Sequence, residues 1–154
     1  MGKRATTLLA TAALATLTLV GQASAAPSNH TPPVANGKTV ATALPSNQTR
    51  YAPFTLHHNQ SVSSDTARLV MQSDGNLVIY DEFNRARWAT NTVGQGWTAR
   101  FQTDGNLVVY TRSNRPVWAS NTDGRPGSRL VIQDDGNVVI YDGSRAVWAS
   151  GTNH

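Results

Sequence analysis

The sequence predicts an all-β domain made of three similar repeats. The segment MQSDGNLVIY at 71–80 returns as FQTDGNLVVY at 101–110 and as IQDDGNVVIY at 132–141. Each copy is followed by a tryptophan segment (RWATNT, VWASNT or VWASGT), and the three tryptophans are spaced 30 residues apart. A unit of about 30 residues cannot bury its own apolar face, so the three repeats are expected to close around a shared interior.

The first 25 residues have the features of a secretory signal peptide. Met1 to Arg4 carries two positive charges, and Ala5 to Val20 is an unbroken run of Ala, Leu, Thr and Val. Ala23-Ser24-Ala25 then supplies the small residues that a signal peptidase accepts. The apolar run is short for a bilayer, and no other apolar stretch approaches about 20 residues. We therefore expect a secreted, extracellular protein without membrane insertion.

Two further segments follow the predicted signal peptide. Residues 26–46 are rich in Pro, Ala, Thr, Ser and Asn without a sustained period, and are expected to form a flexible linker. From residue 47 onward, short apolar runs alternate with Asp-Gly, Asn and Ser, and helical periodicity is lacking. The β domain is therefore expected to occupy residues 47–154.

Composition excludes several classes of function. Loss of Lys3 and Arg4 with the signal peptide reduces the basic residues from 13 to 11, against 9 acidic ones. The arginines are scattered rather than gathered in a stripe, which argues against nucleic acid as a partner. The chain has no cysteine, which excludes disulfides, metal thiolates and thiol catalysis.

Each repeat is expected to form a hairpin followed by a further strand. In the first copy, residues 68–72 form one strand, Ser73-Asp74-Gly75 the turn and residues 76–80 the returning strand, because Asp-Gly between apolar residues favours a hairpin. A polar turn at 82–85 then leads to the strand that contains Trp88. Nine or more strands in residues 47–154, arranged as three repeats, predict an all-β fold with approximate threefold symmetry.

Alternation along the strands predicts which face is buried. The apolar residues of the first hairpin share one face, which is expected to lie in the core: Leu69, Met71, Leu77 and Ile79. The three tryptophans, Trp88, Trp118 and Trp148, are expected to join them as one packing layer.

The opposite face carries five residue types that recur together. They are Gln72, Asp74, Asn76, Val78 and Tyr80; Gln102, Asp104, Asn106, Val108 and Tyr110; and Gln133, Asp135, Asn137, Val139 and Tyr141. Turn chemistry and strand propensity account for the Asp, Gly, Val and Tyr positions. They do not account for Gln, nor for all five staying together, so the set indicates a functional surface.

The chemistry of this surface suits a neutral polyol better than a reaction. Amides donate and accept hydrogen bonds, a carboxylate accepts them, a phenol does either, and valine offers an apolar patch. The paired carboxylates of a glycosidase are missing, and the four histidines lack the spacing of a triad or metal site. We therefore expect a binding protein that is not an enzyme, with no cofactor and no metal.

The repeated motif Gln-x-Asp-x-Asn-x-Val-x-Tyr resembles the signature of the bulb-type, or monocot mannose-binding, lectins, over residues 47–154. The resemblance implies a β-prism II fold, with three four-stranded sheets around a pseudo-threefold axis and the tryptophans at its centre. It implies metal-independent binding of terminal mannose, with Asp74 and Asn76 at the axial O2, Gln72 at O3, Tyr80 at O4 and Val78 against C3 and C4. The corresponding residues of the other two copies would act in the same way.

The resemblance raises two questions and one further expectation. Plant members commonly carry a disulfide at the hairpin turn, where this chain has Gly75. Arg100 occupies the position held by Val70 and Val131 in the other copies, where it would either add a contact at the second site or obstruct it. Relatives often form dimers by exchanging the C-terminal strand, here residues 146–152, so a homodimer is expected.

Alternatives remain open at this point. The same sites would serve for targeting in a lectin-like bacteriocin or antifungal protein. A structural protein-interaction domain could also retain the motif for its fold. Among folds, the β-trefoil is the alternative, although its repeats usually run to about forty residues.

Overall fold

The computed structural model describes residues 46–154, which form three four-stranded antiparallel sheets and no helix. The strands are β1 (Gln48–Tyr51), β2 (Phe54–His57), β3 (Gln60–Ser63), β4 (Ala67–Met71), β5 (Leu77–Asp81), β6 (Ala86–Ala89), β7 (Thr98–Phe101), β8 (Leu107–Tyr110), β9 (Pro116–Ala119), β10 (Arg129–Ile132), β11 (Val138–Asp142) and β12 (Arg145–Ala149). The predicted all-β, β-prism II architecture is confirmed.

Each sheet combines one repeat with a strand from a different part of the chain. The three sheets have the orders β3-β4-β5-β6, β2-β7-β8-β9 and β1-β10-β11-β12. The last three strands of each sheet are the hairpin and the tryptophan strand of one repeat. The first strand comes from residues 48–63, which lack the repeat motif, and consecutive strands of this segment enter different sheets. The segment therefore links all three sheets.

The predicted hairpin turns form as three-residue loops. In the first copy the N–H of Gln72 donates to the carbonyl of Asn76 at 2.9 Å, and the N–H of Gly75 donates to the carbonyl of Gln72 at 3.1 Å. Gly75 has a φ of 90°, in the left-handed region where glycine is favoured. The corresponding glycines of the other copies, Gly105 and Gly136, have φ values of 88° and 87°.

The predicted core face is buried between the three sheets. Leu69, Met71, Leu77 and Ile79 are almost wholly inaccessible and belong to one hydrophobic cluster with the equivalent residues of the other copies. Because one-residue slippage would turn every one of these side chains outward, burial of this face sets the register of each hairpin.

The three tryptophans meet in a triangle of edge-to-face contacts. Their ring centroids are 5.4 Å apart for Trp88 and Trp118, 5.4 Å for Trp88 and Trp148, and 6.0 Å for Trp118 and Trp148. The layer predicted from the sequence is therefore present and packs against the core. The indoles are half-buried rather than fully enclosed, because they lie on the last strand of each sheet.

Residues 1–45, which include the predicted signal peptide and nearly all of the predicted linker, lie outside the described residues. Within 46–154, no helix is long and apolar enough to cross a membrane.

A buried hydroxyl in the second sheet offers a test of this packing. Thr98 is 4% exposed, and its Oγ1 has no hydrogen-bond partner within residues 46–154. An unpaired buried hydroxyl costs about 1–3 kcal/mol, so Thr98→Val is expected to raise the free energy of unfolding by about 1 kcal/mol. Urea denaturation measures this change.

Thr90→Val is the matched control. The Thr90 hydroxyl is buried and accepts a hydrogen bond from the N–H of Leu77 at 3.1 Å, so its loss leaves a buried donor unpaired and lowers stability by about 1–3 kcal/mol. Equal destabilisation by both substitutions would contradict the assignment of Thr98 as an unpaired group.

Candidate functional sites

The structure brings the five predicted residues of each copy together on the outer face of one hairpin. In the first copy Val70 lies opposite Val78 and Arg68 opposite Tyr80 in the pairing of β4 with β5. Gln72 and Asn76 close the hairpin beside the turn that contains Asp74. The corresponding pairing of β7 with β8 and of β10 with β11 builds the second and third sites in the same way.

A hydrogen bond joins the glutamine and the tyrosine across each site. The Nε2 of Gln72 donates to the hydroxyl oxygen of Tyr80 at 2.6 Å. The glutamine Oε1 acceptor and the tyrosine O–H donor have no partner within the described residues, so both remain for a ligand. The same bond joins Gln102 to Tyr110 at 2.9 Å and Gln133 to Tyr141 at 3.1 Å.

The aspartate at each turn uses one carboxylate oxygen for the fold. The N–H of Asn76 donates to Oδ1 of Asp74 at 2.9 Å, which is an Asx turn. The second oxygen, Oδ2, accepts no hydrogen bond from residues 46–154 and so remains an acceptor for a ligand. Asp104 and Asp135 accept in the same way from the N–H groups of Asn106 and Asn137, at 3.0 and 2.9 Å.

The asparagine side chain is fixed by the segment that follows the tryptophan strand. Oδ1 of Asn76 accepts from the N–H of Thr92 at 3.1 Å and from the hydroxyl of Thr90 at 3.2 Å. Since a backbone N–H can only donate, the oxygen must face it, and Nδ2 is left as a donor for a ligand. The equivalent acceptors are Asn106, with Thr122 and Ser120, and Asn137, with Thr152 and Ser150.

The sequence analysis missed these hydroxyl residues, although the motif W-A-[S/T]-x-T displayed them. The hydroxyl of Thr92 also donates to the carbonyl of Gly75 at 2.8 Å, and so holds the hairpin turn directly. The residue between the two hydroxyl positions has positive φ in every copy, which explains why only Asn or Gly occurs there. Asn91, Asn121 and Gly151 have φ values of 57°, 57° and 68°.

The valine of each motif forms the floor of its site. Val78, Val108 and Val139 are 3, 4 and 3% exposed. The apolar patch predicted for sugar ring carbons is therefore present but small, and hydrogen-bonding groups dominate the accessible surface.

An arginine covers the ring of each site tyrosine. Arg68 and Arg129 lie opposite Tyr80 and Tyr141 in the strand register, with guanidinium carbons 5.2 and 4.9 Å from the ring centroids. The sequence analysis did not identify these two residues. Cation–π contact of this kind holds the phenol ring in one orientation.

In the second site, Arg100 covers the tyrosine ring, although it lies at a different position along its strand. It lies opposite Val108, and its guanidinium carbon reaches to 4.8 Å from the ring centroid of Tyr110. Its NH2 donates to Oδ1 of Asn114 at 2.7 Å, at the far end of the hairpin. The guanidinium is therefore drawn away from the Gln102 end of the site, and it borders the site beside Tyr110.

The first hairpin is braced without a disulfide. Gly75 packs so closely on Gly96 that a Cβ at position 75 would lie 2.7 Å from the Gly96 carbonyl oxygen. The N–H of Gly94 donates to the carbonyl of Asp74 at 2.6 Å. Direct packing of the loop on the turn thus holds the hairpin, in a chain that has no cysteine.

The sites are open surfaces rather than clefts. Two concavities lie at their margins, one lined by Tyr51, Ala52, Thr103, Gly127 and Ser128, and the other by residues 63–68, 81, 82 and 84. Within residues 46–154, no group of three or more His, Cys, Asp or Glu side chains could hold a metal ion. Each sheet of the prism therefore carries an open surface of amide, carboxylate and phenol groups.

Comparison with solved structures gives the family. A monocot mannose-binding lectin from Gastrodia elata, described as monomeric, is 42% identical over 71% of this chain and 99% of its own, with a TM-score of 0.62. The mannose-specific agglutinin of snowdrop, Galanthus nivalis, is 42% identical over 71% and 98%, with a TM-score of 0.56. The mannose-specific lectin of bluebell, Scilla campanulata, is 40% identical over 71% and 99%, with a TM-score of 0.54.

The chain therefore belongs to the bulb-type, monocot mannose-binding lectin family, and it is a carbohydrate-binding lectin and not an enzyme. No protein-family model matches it, and no curated protein does.

An ion pair next to the third hairpin predicts a pH dependence of stability. His154 packs on Gly136 and its Nε2 lies 2.9 Å from Oε2 of Glu82. The Thr152 carbonyl and then the Glu82 carboxylate raise the pKa of His154. The backbone N–H of Glu82 and then His154 lower the pKa of Glu82, although desolvation opposes this.

The signs of the two shifts define the pH window. The contribution of His154 to folding stability is complete below its ordinary pKa of 6.5 and is lost as the pH rises through its raised pKa in the folded protein. The glutamate contribution is complete above 4.5 and is lost as the pH falls through the lowered folded pKa. The stability difference between the native chain and His154→Gln should therefore be largest between pH 4.5 and 6.5 in urea titrations. A difference independent of pH would show that the ion pair is not formed.

Proposed function

We propose that the protein is a secreted lectin that binds terminal mannose on glycans through three metal-independent sites, one on each sheet. The proposal rests on one observation: the same four polar groups without a hydrogen-bond partner recur in all three sites. Each site keeps a glutamine Oε1, an aspartate Oδ2, an asparagine Nδ2 and a tyrosine O–H without a hydrogen-bond partner in residues 46–154.

These groups match the donor and acceptor pattern of a hexose. A sugar hydroxyl both donates and accepts, and the turn places a carboxylate acceptor, Asp74 Oδ2, in the same short segment as an amide donor, Asn76 Nδ2. By family resemblance, Asp74 and Asn76 would bind the axial O2 of mannose. The Gln72 acceptor would bind O3, and the Tyr80 hydroxyl would bind O4.

Binding at one site is expected to be weak. Each hydrogen bond to a hydrated sugar contributes only about 0.5–1.5 kcal/mol, since water is displaced to form it. The valine floor adds little because its exposed area is small. A millimolar site corresponds to about −4 kcal/mol, so useful affinity for a glycan surface requires several sites acting together.

Retention on mannan-agarose tests the proposal. The protein is expected to bind in the presence of EDTA, to resist elution by galactose and to elute with free mannose. Failure of a folded sample to bind, or equal elution by galactose, would refute mannose binding through these sites.

Substitution of the three site tyrosines tests whether the motifs carry the binding. Tyr80→Phe, Tyr110→Phe and Tyr141→Phe together remove the hydroxyl that accepts from glutamine and donates to the ligand. Loss of about 1 kcal/mol at each site predicts roughly fivefold weaker binding of methyl mannoside per site, measured by NMR titration.

Tyr51→Phe is the matched control for this substitution. Tyr51 is exposed and belongs to none of the three motifs, so binding should be unchanged. Equal binding by the triple variant and the native protein would instead support a structural or protein-interaction role for the repeats.

We also propose a homodimer formed by exchange of β12. In the structure β12 pairs with β11 of its own chain, with Val139 opposite Ala149 and Ile140 opposite Trp148. The strand lies at the edge of its sheet, where an identical strand of a second chain could replace it. Size-exclusion chromatography with light scattering should give twice the chain mass at micromolar concentration, and a monomer alone would contradict the exchange.

A further inference from the structure

The three sites share their hydrogen-bonding groups but differ in the charge around the tyrosine. All three place an arginine over the tyrosine ring, and none of these arginines forms an ion pair within residues 46–154. Each guanidinium donates one hydrogen bond within the protein: Arg68 to Asn84, Arg100 to Asn114 and Arg129 to the carbonyl of Gly143. Most N–H groups of each guanidinium therefore remain for a ligand.

The turn beyond each tyrosine sets the sign of the local charge. In the first copy, residues 81–85 contain two carboxylates and one guanidinium. Asp81 there is buried, and although desolvation raises its pKa, hydrogen bonds from Arg85 and Phe83 hold it below the usual range, so it is ionised. Arg68 also lines a pocket with Asp65 and Glu82. Since Asp81 also lies 2.8 Å from Arg85 and 3.7 Å from Arg87, carboxylates and guanidinium groups balance around the first site.

The second site is the cationic one. Its turn, residues 111–115, contains Arg112 and Arg115 and no acidic residue, whereas residues 142–145 at the third site contain one carboxylate and one guanidinium. Arg100 adds a cation on the valine row of the site itself. Asp104 lies in the turn before the strand, and Asn106 and Tyr110 alone are about 13 Å apart at about 3.3 Å per residue, which exceeds the Debye length of about 8 Å.

We propose that the second site prefers hexoses that carry a negatively charged substituent, a phosphate ester or a carboxylate, over neutral mannose. This inference rests on the proposed function, because it assumes that the hexose lies with O4 at Tyr110. C6 is then two carbons from the atom that bears O4, and a substituent on C6 extends toward the Arg100 guanidinium. Arginine suits such groups, because its planar fork of donors matches both phosphate and carboxylate oxygens.

NMR titration of the full chain with methyl α-mannoside, mannose 6-phosphate and mannuronic acid tests the preference. The side-chain amide signals of Gln72, Gln102 and Gln133 report the three sites separately. An exposed charge pair predicts about two- to fivefold tighter binding of mannose 6-phosphate than of methyl mannoside at the second site. The ratio should exceed that at the first site and fall in 0.5 M salt. Mannuronic acid distinguishes a preference for any anion from a preference for phosphate.

Arg100→Val provides a matched variant, because the other two copies have valine at this position. It should remove the difference in affinity between mannose 6-phosphate and methyl mannoside at the second site.

The outcomes separate this inference from the proposed function. If methyl mannoside binds but the phosphate preference is equal at all three sites, or survives Arg100→Val, the inference is wrong and mannose binding stands. If Arg100→Val weakens both ligands equally, Arg100 only positions Tyr110. If methyl mannoside binds no site, the proposed function itself fails.

Discussion

The hydrogen bonds from the segment after the tryptophan strand to the asparagine side chain are the contacts on which the rest of the structure depends. Oδ1 of Asn76 accepts from Thr92 and Thr90, and Thr92 also holds the carbonyl of Gly75. One small network therefore ties the segment that follows the last strand of the sheet to the hairpin turn. Because the same network fixes the amide orientation, the fold itself determines which atom each site offers to a ligand.

The architecture and the proposed binding sites consequently share the same residues. The asparagine recurs because it closes the sheet, and the glutamine recurs beside the tyrosine because its amide holds the phenol oxygen. In each of these residues, one polar atom forms a hydrogen bond within the protein and another remains accessible to a ligand. A site built in this way needs little rearrangement on binding, which limits the entropic cost of a weak interaction.

The pseudo-threefold symmetry applies to the core and to the sites, but not to the turns that border the sites. Core positions are constrained by close packing, so they change little between copies. The turns between the second and third strands of each repeat are solvent-exposed and free to vary, and their charge differs in each copy. Equivalent sites can therefore differ in the charge of the ligands that they favour, while their hydrogen-bonding groups stay the same.

By itself, the sequence determined the all-β repeat, the hairpins, the buried face and the motif residues, because these depend on local turn chemistry and strand alternation. Only the tertiary structure decided what depends on contacts between distant segments. The strands β1, β2 and β3 carry no repeat signal, yet each completes a different sheet. Likewise, Arg100 occupies a position where the other two copies have valine, yet its guanidinium covers Tyr110 as Arg68 covers Tyr80. This is possible because a long side chain can reach the tyrosine ring from a position two residues further along the strand.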